Sequence, residues 1–197
     1  MNELELTEKA IAGSRDAFCD LYDLYRVRLY RYAYYRLRDR DDAEDAVSSC
    51  VLSAWEQIRK LKEPGAFPAW IFRILKGSCA AVIKAQIERK KLISLDPDGK
   101  AELSTDGEES REFEVQTAAS GDTENEKAPD PETNAILMEA LNTLDEESRE
   151  MVLLSAVGGL TGRDIGEIYD MPQGTVRSRL SRSFAAMRKL MEAGNER

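Results

Sequence analysis

Residues 93–132 read ISLDPDGKAELSTDGEESREFEVQTAASGDTENEKAPDPE, and they constrain everything on either side. Thirteen acids and three bases share this segment with Ser, Thr, Gly and Pro, and large apolar residues are few. Such a stretch cannot bury enough apolar surface to offset the entropy lost on ordering. It is also well beyond the ~15 residues at which unstructured loops inside a compact domain become uncommon. The expectation is two domains, 1–92 and 133–197, joined by a long, flexible, mostly disordered acidic linker over 93–132.

Both flanks carry helical periodicity. Phe18, Leu21, Tyr25, Leu29 and Tyr32 recur every three or four residues, an amphipathic stripe, with Arg26, Arg28, Arg31, Arg36, Arg38 and Arg40 on the other faces. Asp39-Arg40-Asp41-Asp42 interrupts the pattern with acids suited to the first turn of a new helix. That helix carries Ala43, Ala46, Val47, Cys50, Val51, Ala54, Trp55 and Ile58, with both Trp55 and Trp70 expected in the core. Pro64 and Pro68 bracket a loop, and Pro68 suits a helix start. Trp70, Ile71, Ile74, Leu75, Ala81, Val82 and Ile87 give a third apolar pattern. In the second domain Ile136, Leu137, Ala140, Leu141 and Leu144 form one stripe, and Met151, Val152, Leu154, Ala156 and Val157 another. Alternating β-branched runs bounded by hairpin turns are absent from the sequence, so the predicted class is all-α, two small helical domains.

The stretch 158–180, GGLTGRDIGEIYDMPQGTVRSRL, is heavily punctuated. Gly158-Gly159 can stop the preceding helix, and Thr161 can cap a short helix carrying Ile165 and Ile168. Asp170-Met171-Pro172 ends it, because the residue before a proline avoids the helical region. Gln173-Gly174-Thr175 is expected to make the turn into a helix with Val176, Leu180, Phe184, Met187 and Leu190 at helical spacing. Two short helices meeting at a tight turn are the sequence form of a helix-turn-helix. With Val176, Leu180, Phe184 and Met187 inward, Arg177, Ser178, Ser181 and Arg182 point outward and Arg179 sits on a flank. Arginine forks onto guanine or phosphate, and short hydroxyls reach either without crowding a groove.

The formal net charge of −9 looks hostile to nucleic acid until it is resolved by segment. Residues 1–92 carry +3, residues 93–132 carry −10 and residues 133–197 carry −2, while 172–191 hold five basic residues and no acid. A phosphate responds to charge within about one Debye length, roughly 8–10 Å, so the local sign governs. The chain has no histidine, which removes the usual general base and metal ligand. Cys19, Cys50 and Cys79 form no CxxC pair or zinc spacing and are expected as buried reduced thiols. Asp41, Asp42, Glu44 and Asp45 could bind a divalent cation, but they share one helical turn and read as an N-terminal dipole cluster. Neither an enzyme nor a bound cofactor or metal is expected. The N-terminal MNELELTEKA has no signal-peptide character, and no apolar run approaches the ~20 residues of a membrane span, so a cytoplasmic chain without membrane insertion is expected.

GTVRSRL at 174–180, preceded by LDEESREMVLLSAVGGLTGRDIGEIYD, resembles the promoter-recognition module of bacterial RNA polymerase sigma factors, in particular the two-domain extracytoplasmic-function (ECF) group. AFCDLYDLYRVRLYRYAYYRLRDRDDAEDAVSSCVLSAWEQI is similar to that family's domain two, with DAED and an Ala-Trp pair on its second helix, and PAWIFRILKGS to the helix that follows. Gly166 stands where alanine is common, a small-for-small change, and Ser48-Ser49 where the family often has Gln-Glu. The resemblance implies that domain two docks on the coiled coil of the beta-prime subunit through Asp42, Glu44, Asp45, Ser48 and Ser49. It implies that domain two recognises and helps open the minus-ten element, for which Lys60, Lys62, Phe67, Arg73, Lys76 and Lys84 are the candidates. Domain four would read the minus-thirty-five element of double-stranded promoter DNA with Thr175, Arg177, Ser178, Arg179, Ser181 and Arg182. It also implies the beta flap of core polymerase and an anti-sigma factor as partners. The alternative is a helix-turn-helix regulator that does not engage polymerase.

Overall fold

The computed structural model describes residues 2–94 and 131–194. Within them the chain forms helices α1 (Glu3–Ile11), α2 (Arg15–Leu37), α3 (Arg40–Gln57), α4 (Phe67–Ser94), α5 (Pro131–Asn142), α6 (Glu146–Ala156), α7 (Gly162–Tyr169) and α8 (Gln173–Gly194). Short 3-10 turns at Ile58–Lys60 and Pro64–Ala66 link α3 to α4, and no strand occurs among the described residues. The expected linker falls almost wholly on 95–130, outside the described residues; its two ends belong to α4 and α5.

Local chemistry sets the helix ends. Asn2 and Glu5 form a reciprocal capping box that starts α1, a helix the periodicity argument passed over. The Ser14 hydroxyl accepts from the Ala17 N–H to open α2, and Asp39 accepts from the Asp42 N–H to open α3. Thr161 and Asp164 build a second capping box at α7. Asp170 ends α7 in the left-handed region at φ 53°, a conformation Asp tolerates better than most side chains.

The stripe Phe18, Leu21, Tyr25, Leu29 and Tyr32 is buried as expected, against Ala43, Ala46, Val47, Cys50 and Ala54 of α3 and Phe67, Ile71, Phe72, Leu75 and Cys79 of α4. Tyr25 and Phe67 meet edge-on at 5.3 Å between ring centroids, and Tyr32 and Phe72 at 5.7 Å. Trp55 departs from the expected core position: it lies at the surface, tilted against Phe18, and is 36% exposed. Cys19 is exposed, while burial pushes the thiols of Cys50 and Cys79 up to about 12. Beyond Cys79 the apolar stripe of α4 outruns its partners, leaving Ala81 and Ile87 exposed. By length and composition alone Pro64–Lys91 would satisfy a membrane-span criterion, contrary to the reading of the sequence. Its inner face is the wall of this core.

In the second domain the turn lies one step earlier than expected. Asp170-Met171-Pro172 forms it, and Gln173-Gly174-Thr175 is already the first turn of α8, with the Pro172 carbonyl accepting from the N–H groups of Thr175 and Val176. The buried line of α8 is Val176, Ser183 and Met187, with Leu180 half-buried. Phe184 and Leu190, expected inward, sit a step around the helix and are exposed. Five consecutive residues of α6, Glu150 to Leu154, are all buried. A helix can be covered all round only if neighbours lie on every side. Here α7 and α8 cover one side, and α2 of the first domain covers another. The two domains are thus packed against each other, and the loop after α6 is part of the seam. Gly159 takes φ +67°, the Arg28 guanidinium donates to the Gly158 carbonyl at 3.3 Å, and a Cβ on Gly158 would meet the Phe72 ring at 3.2 Å.

The α7–α8 turn is closer still. A Cβ on Gly166 would sit 2.6 Å from the Met171 carbonyl oxygen, so alanine is not an equivalent residue at this backbone, whereas a Cβ on Gly174 meets nothing within 4 Å. Gly166→Ala is expected to lose about 1–3 kcal/mol in denaturant unfolding followed by circular dichroism. Gly174→Ala is expected to be neutral or to gain roughly 0.5–1 kcal/mol.

Candidate nucleic-acid interface

On α8 the inward residues leave Thr175, Arg177, Ser178, Ser181 and Arg182 exposed along one outer strip without an acid. The Ser178 hydroxyl donates back to the Thr175 carbonyl at 2.9 Å, and Arg182 Nε donates to the Ser178 carbonyl at 3.3 Å, which anchors the base of each side chain on its own helix. Arg179 differs from the others: it is half-buried and ion-paired with Glu147 of α6. Its position on the flank makes it a strut between α6 and α8.

The outer face of α3 carries Glu44, Asp45, Ser48 and Ser49, all exposed. Asp42 is partly withdrawn, because its carboxylate accepts from the Gln86 side chain of α4. The same face continues into Leu52, which is 67% exposed, and Trp55. Leu52 lies outside the apolar stripe read from the sequence, and Trp55, expected in that stripe, sits at its exposed edge. Among the described residues no group of three or more Cys, Asp or Glu side chains is gathered closely enough to hold a metal ion.

The six domain-two candidates do not form one set. Lys60, Lys62 and Lys84 are exposed, with Lys84 3.9 Å from Glu88. Phe67 is 2% exposed and packed between Tyr25 and Trp70, so it is a core residue and offers no ring to a base. Arg73 and Lys76 lie one turn apart on α4 and are both engaged by the other domain. Arg73 donates to the Glu167 carbonyl at 2.6 Å. The Lys76 ammonium stands 3.2 Å from Glu150 and 3.8 Å over the centroid of the Tyr169 ring.

Glu150 is the centre of this contact, and sequence reasoning did not single it out. It is 4% exposed and takes Arg36 of α2 on one carboxylate oxygen, with Lys76 and the Tyr169 hydroxyl on the other. Arg36 also reaches Glu146 at 3.3 Å. Burial is the largest influence on the Arg36 pKa and works to lower it, but Glu150, Tyr32, Cys79 and Glu146 together outweigh it and the net direction is upward. Burial and the hydrogen bond to Glu150 raise the Tyr169 phenol far above its usual range. The available signal is an acid directly ahead of the apolar run Met151-Val152-Leu153-Leu154.

A sigma-70 region 2 model matches residues 21–86, which runs from the second turn of α2 through most of α4. A sigma-70 region 4 model matches residues 134–187, which spans α5 to α8. The chain belongs to the ECF RNA polymerase sigma factors. It is 27% identical over 177 residues to the ECF RNA polymerase sigma factor SigW of Bacillus subtilis, covering 90% of each chain. The solved structure of CnrH in complex with the cytosolic domain of CnrY shares the fold, with a TM-score of 0.64 at 20% identity over 97% of each chain. The sigma factor RpoE in complex with the anti-sigma factor NepR from Bartonella quintana gives a TM-score of 0.59 at 22% identity, over 89% of this chain and 96% of that one. Within this sigma factor each matched region falls inside one of the two packed helical units.

A core role for Phe67 has a direct consequence. Phe67→Ala is expected to destabilise the protein by about 3–5 kcal/mol in urea unfolding. If stability is unchanged and only DNA opening suffers, Phe67 is a reader after all.

Proposed function

We propose that this sigma factor engages core RNA polymerase through the outer face of α3, with Glu44, Asp45, Ser48 and Ser49 supplying polar contacts and Leu52 and Trp55 the apolar ones. Exposed acids beside an exposed tryptophan form a patch that gains from a basic and apolar partner, as a docking helix pair would offer. Domain four would meet the beta flap and read the minus-thirty-five element, with Arg177, Ser178, Ser181, Arg182 and Thr175 in the groove and Arg179 holding the helix in place. Domain two would engage the minus-ten element with Lys60, Lys62, Arg73, Lys76 and Lys84. The protein acts in the cytoplasm, carries no catalytic chemistry of its own, and is held by an anti-sigma factor until needed. The last point draws on the anti-sigma complex of the Bartonella relative.

The observation that carries this reading is the acid-free strip on α8, presented outward by a helix-turn-helix behind a region 2 match at 21–86. A regulator independent of polymerase would have no use for that second region. Run-off transcription with core polymerase tests the role. The parental chain should initiate from a cognate promoter, and Arg177→Ala and Arg182→Ala should weaken initiation where the upstream element is needed. Loss of a bidentate base contact costs ~1–3 kcal/mol and relaxes one position. Loss of a phosphate contact lowers the salt slope by about one across all sequences. Parental rates from both variants on such promoters would remove α8 as the reader.

A further inference from the structure

The cations around Glu150 come from domain two and the carboxylate from domain four. Arg36 lies on α2 and Lys76 on α4, and the acids that pair with them, Glu146 and Glu150, both lie on α6. Arg73 on α4 is likewise spent on a carbonyl of α7. Beside them the Tyr32 hydroxyl is fully buried and has no hydrogen-bond partner among the described residues. Separation of the domains would therefore strip three cations of their partners at once, on a domain whose sequence already carries net positive charge. Arg36 and Lys76, which converge on one carboxylate, with Arg73 one turn along α4 from Lys76, make a receptor for anionic oxygens. A carboxylate and a phosphodiester present the same pair of acceptor oxygens to a guanidinium fork.

We propose that Arg36 and Lys76, with Arg73 beside them on α4, form a cradle for a nucleic-acid backbone phosphate, and that while the two domains are docked Glu150 fills its Arg36–Lys76 part as an internal substitute and the Glu167 carbonyl holds Arg73. The inference rests on the reading of α4 as a promoter-facing helix and extends it to Arg36, which the motifs did not point to. Docking and phosphate binding compete for the same three side chains. The α8 strip lies outside the contact, since Arg177, Ser178, Ser181 and Arg182 stay exposed in the docked chain. The docked protein thus has its upstream reader open and its downstream cradle filled. Opening requires a stronger anionic competitor or a partner that pulls α6 away.

Glu150→Gln removes the charge of the substitute while keeping its shape, and the amide oxygen can still accept from the Tyr169 hydroxyl within domain four. The test is fluorescence anisotropy of a labelled single-stranded oligonucleotide titrated with the full-length chain across a salt series. Four proteins are compared: parental, Glu150→Gln, Glu150→Gln with Arg36→Gln, and Glu139→Gln as a charge-matched control on the exposed side of α5. Circular dichroism checks that each is folded. Glu150→Gln should bind on the order of tenfold tighter at low salt, and its log–log salt slope should steepen by about 0.7 for each cation set free. Adding Arg36→Gln should remove about 0.7 of that slope and most of the gain, and Glu139→Gln should match the parent. Parental affinity and slope in Glu150→Gln would overturn the proposal. So would a gain that survives Arg36→Gln, or one that Glu139→Gln reproduces. If Glu150→Gln instead strengthens binding to core polymerase and leaves DNA binding alone, the cradle serves a protein carboxylate and the proposal is wrong. Run-off transcription by the parental chain judges the sigma role separately: initiation with no DNA gain in Glu150→Gln defeats the cradle alone. A DNA gain without initiation defeats the sigma role alone.

Discussion

One buried carboxylate determines how this molecule is put together. Glu150 sits in the middle of the seam between the two helical units, with Arg36 and Lys76 from one side and Tyr169 from its own. A charge removed from water is tolerated only when its partners are in place, and removing one partner of such a pair costs on the order of 3–5 kcal/mol while the other stays buried. In a single core that penalty would fall on folding. Here it falls on docking, because each charge returns to water when the domains part. The surrounding apolar contacts, Met151 to Leu154 and the bare Gly158 backbone against Phe72, provide cohesion. The ions provide register, and they make the contact reversible.

That arrangement sorts the chain's surfaces. The outer face of α3 and the arginine strip of α8 point away from the seam and are exposed, while the central cations of α4 point into it. The charge distribution along the sequence has the same logic. Domain two carries the surplus of bases, and its most converged cations are matched by acids of α6 when the molecule is docked. A chain of net charge −9 can in this way keep local basic faces for phosphate while it remains repelled from nucleic acid at long range.

Much of the fold was legible in the sequence because it rests on local rules. Apolar residues three and four apart located α2 and α3, and Thr161, Gly159 and Pro172 marked the ends around the helix-turn-helix. What was missed depends on which neighbour covers a given face. Trp55 and Phe184 have the right spacing for a core but lie at its edge, and Phe67 looked like a loop aromatic until α2 placed Tyr25 against it. Glu150 could not be assigned at all from periodicity, because its burial comes from a domain more than 50 residues away in sequence. The α8 strip was readable because its neighbours in sequence are also its neighbours in space. Nothing in the sequence around the α4 cations shows that helices of the other domain take Arg73 and Lys76.

Small-angle X-ray scattering of the full-length chain tests the central claim most directly. With Glu150 holding the seam, the parental protein should scatter as a compact particle, and Glu150→Gln should show a larger radius of gyration and a longer maximum dimension with its helix content intact. Identical scattering from the two proteins would mean that the carboxylate does not hold the domains together, and the account built on it would fail.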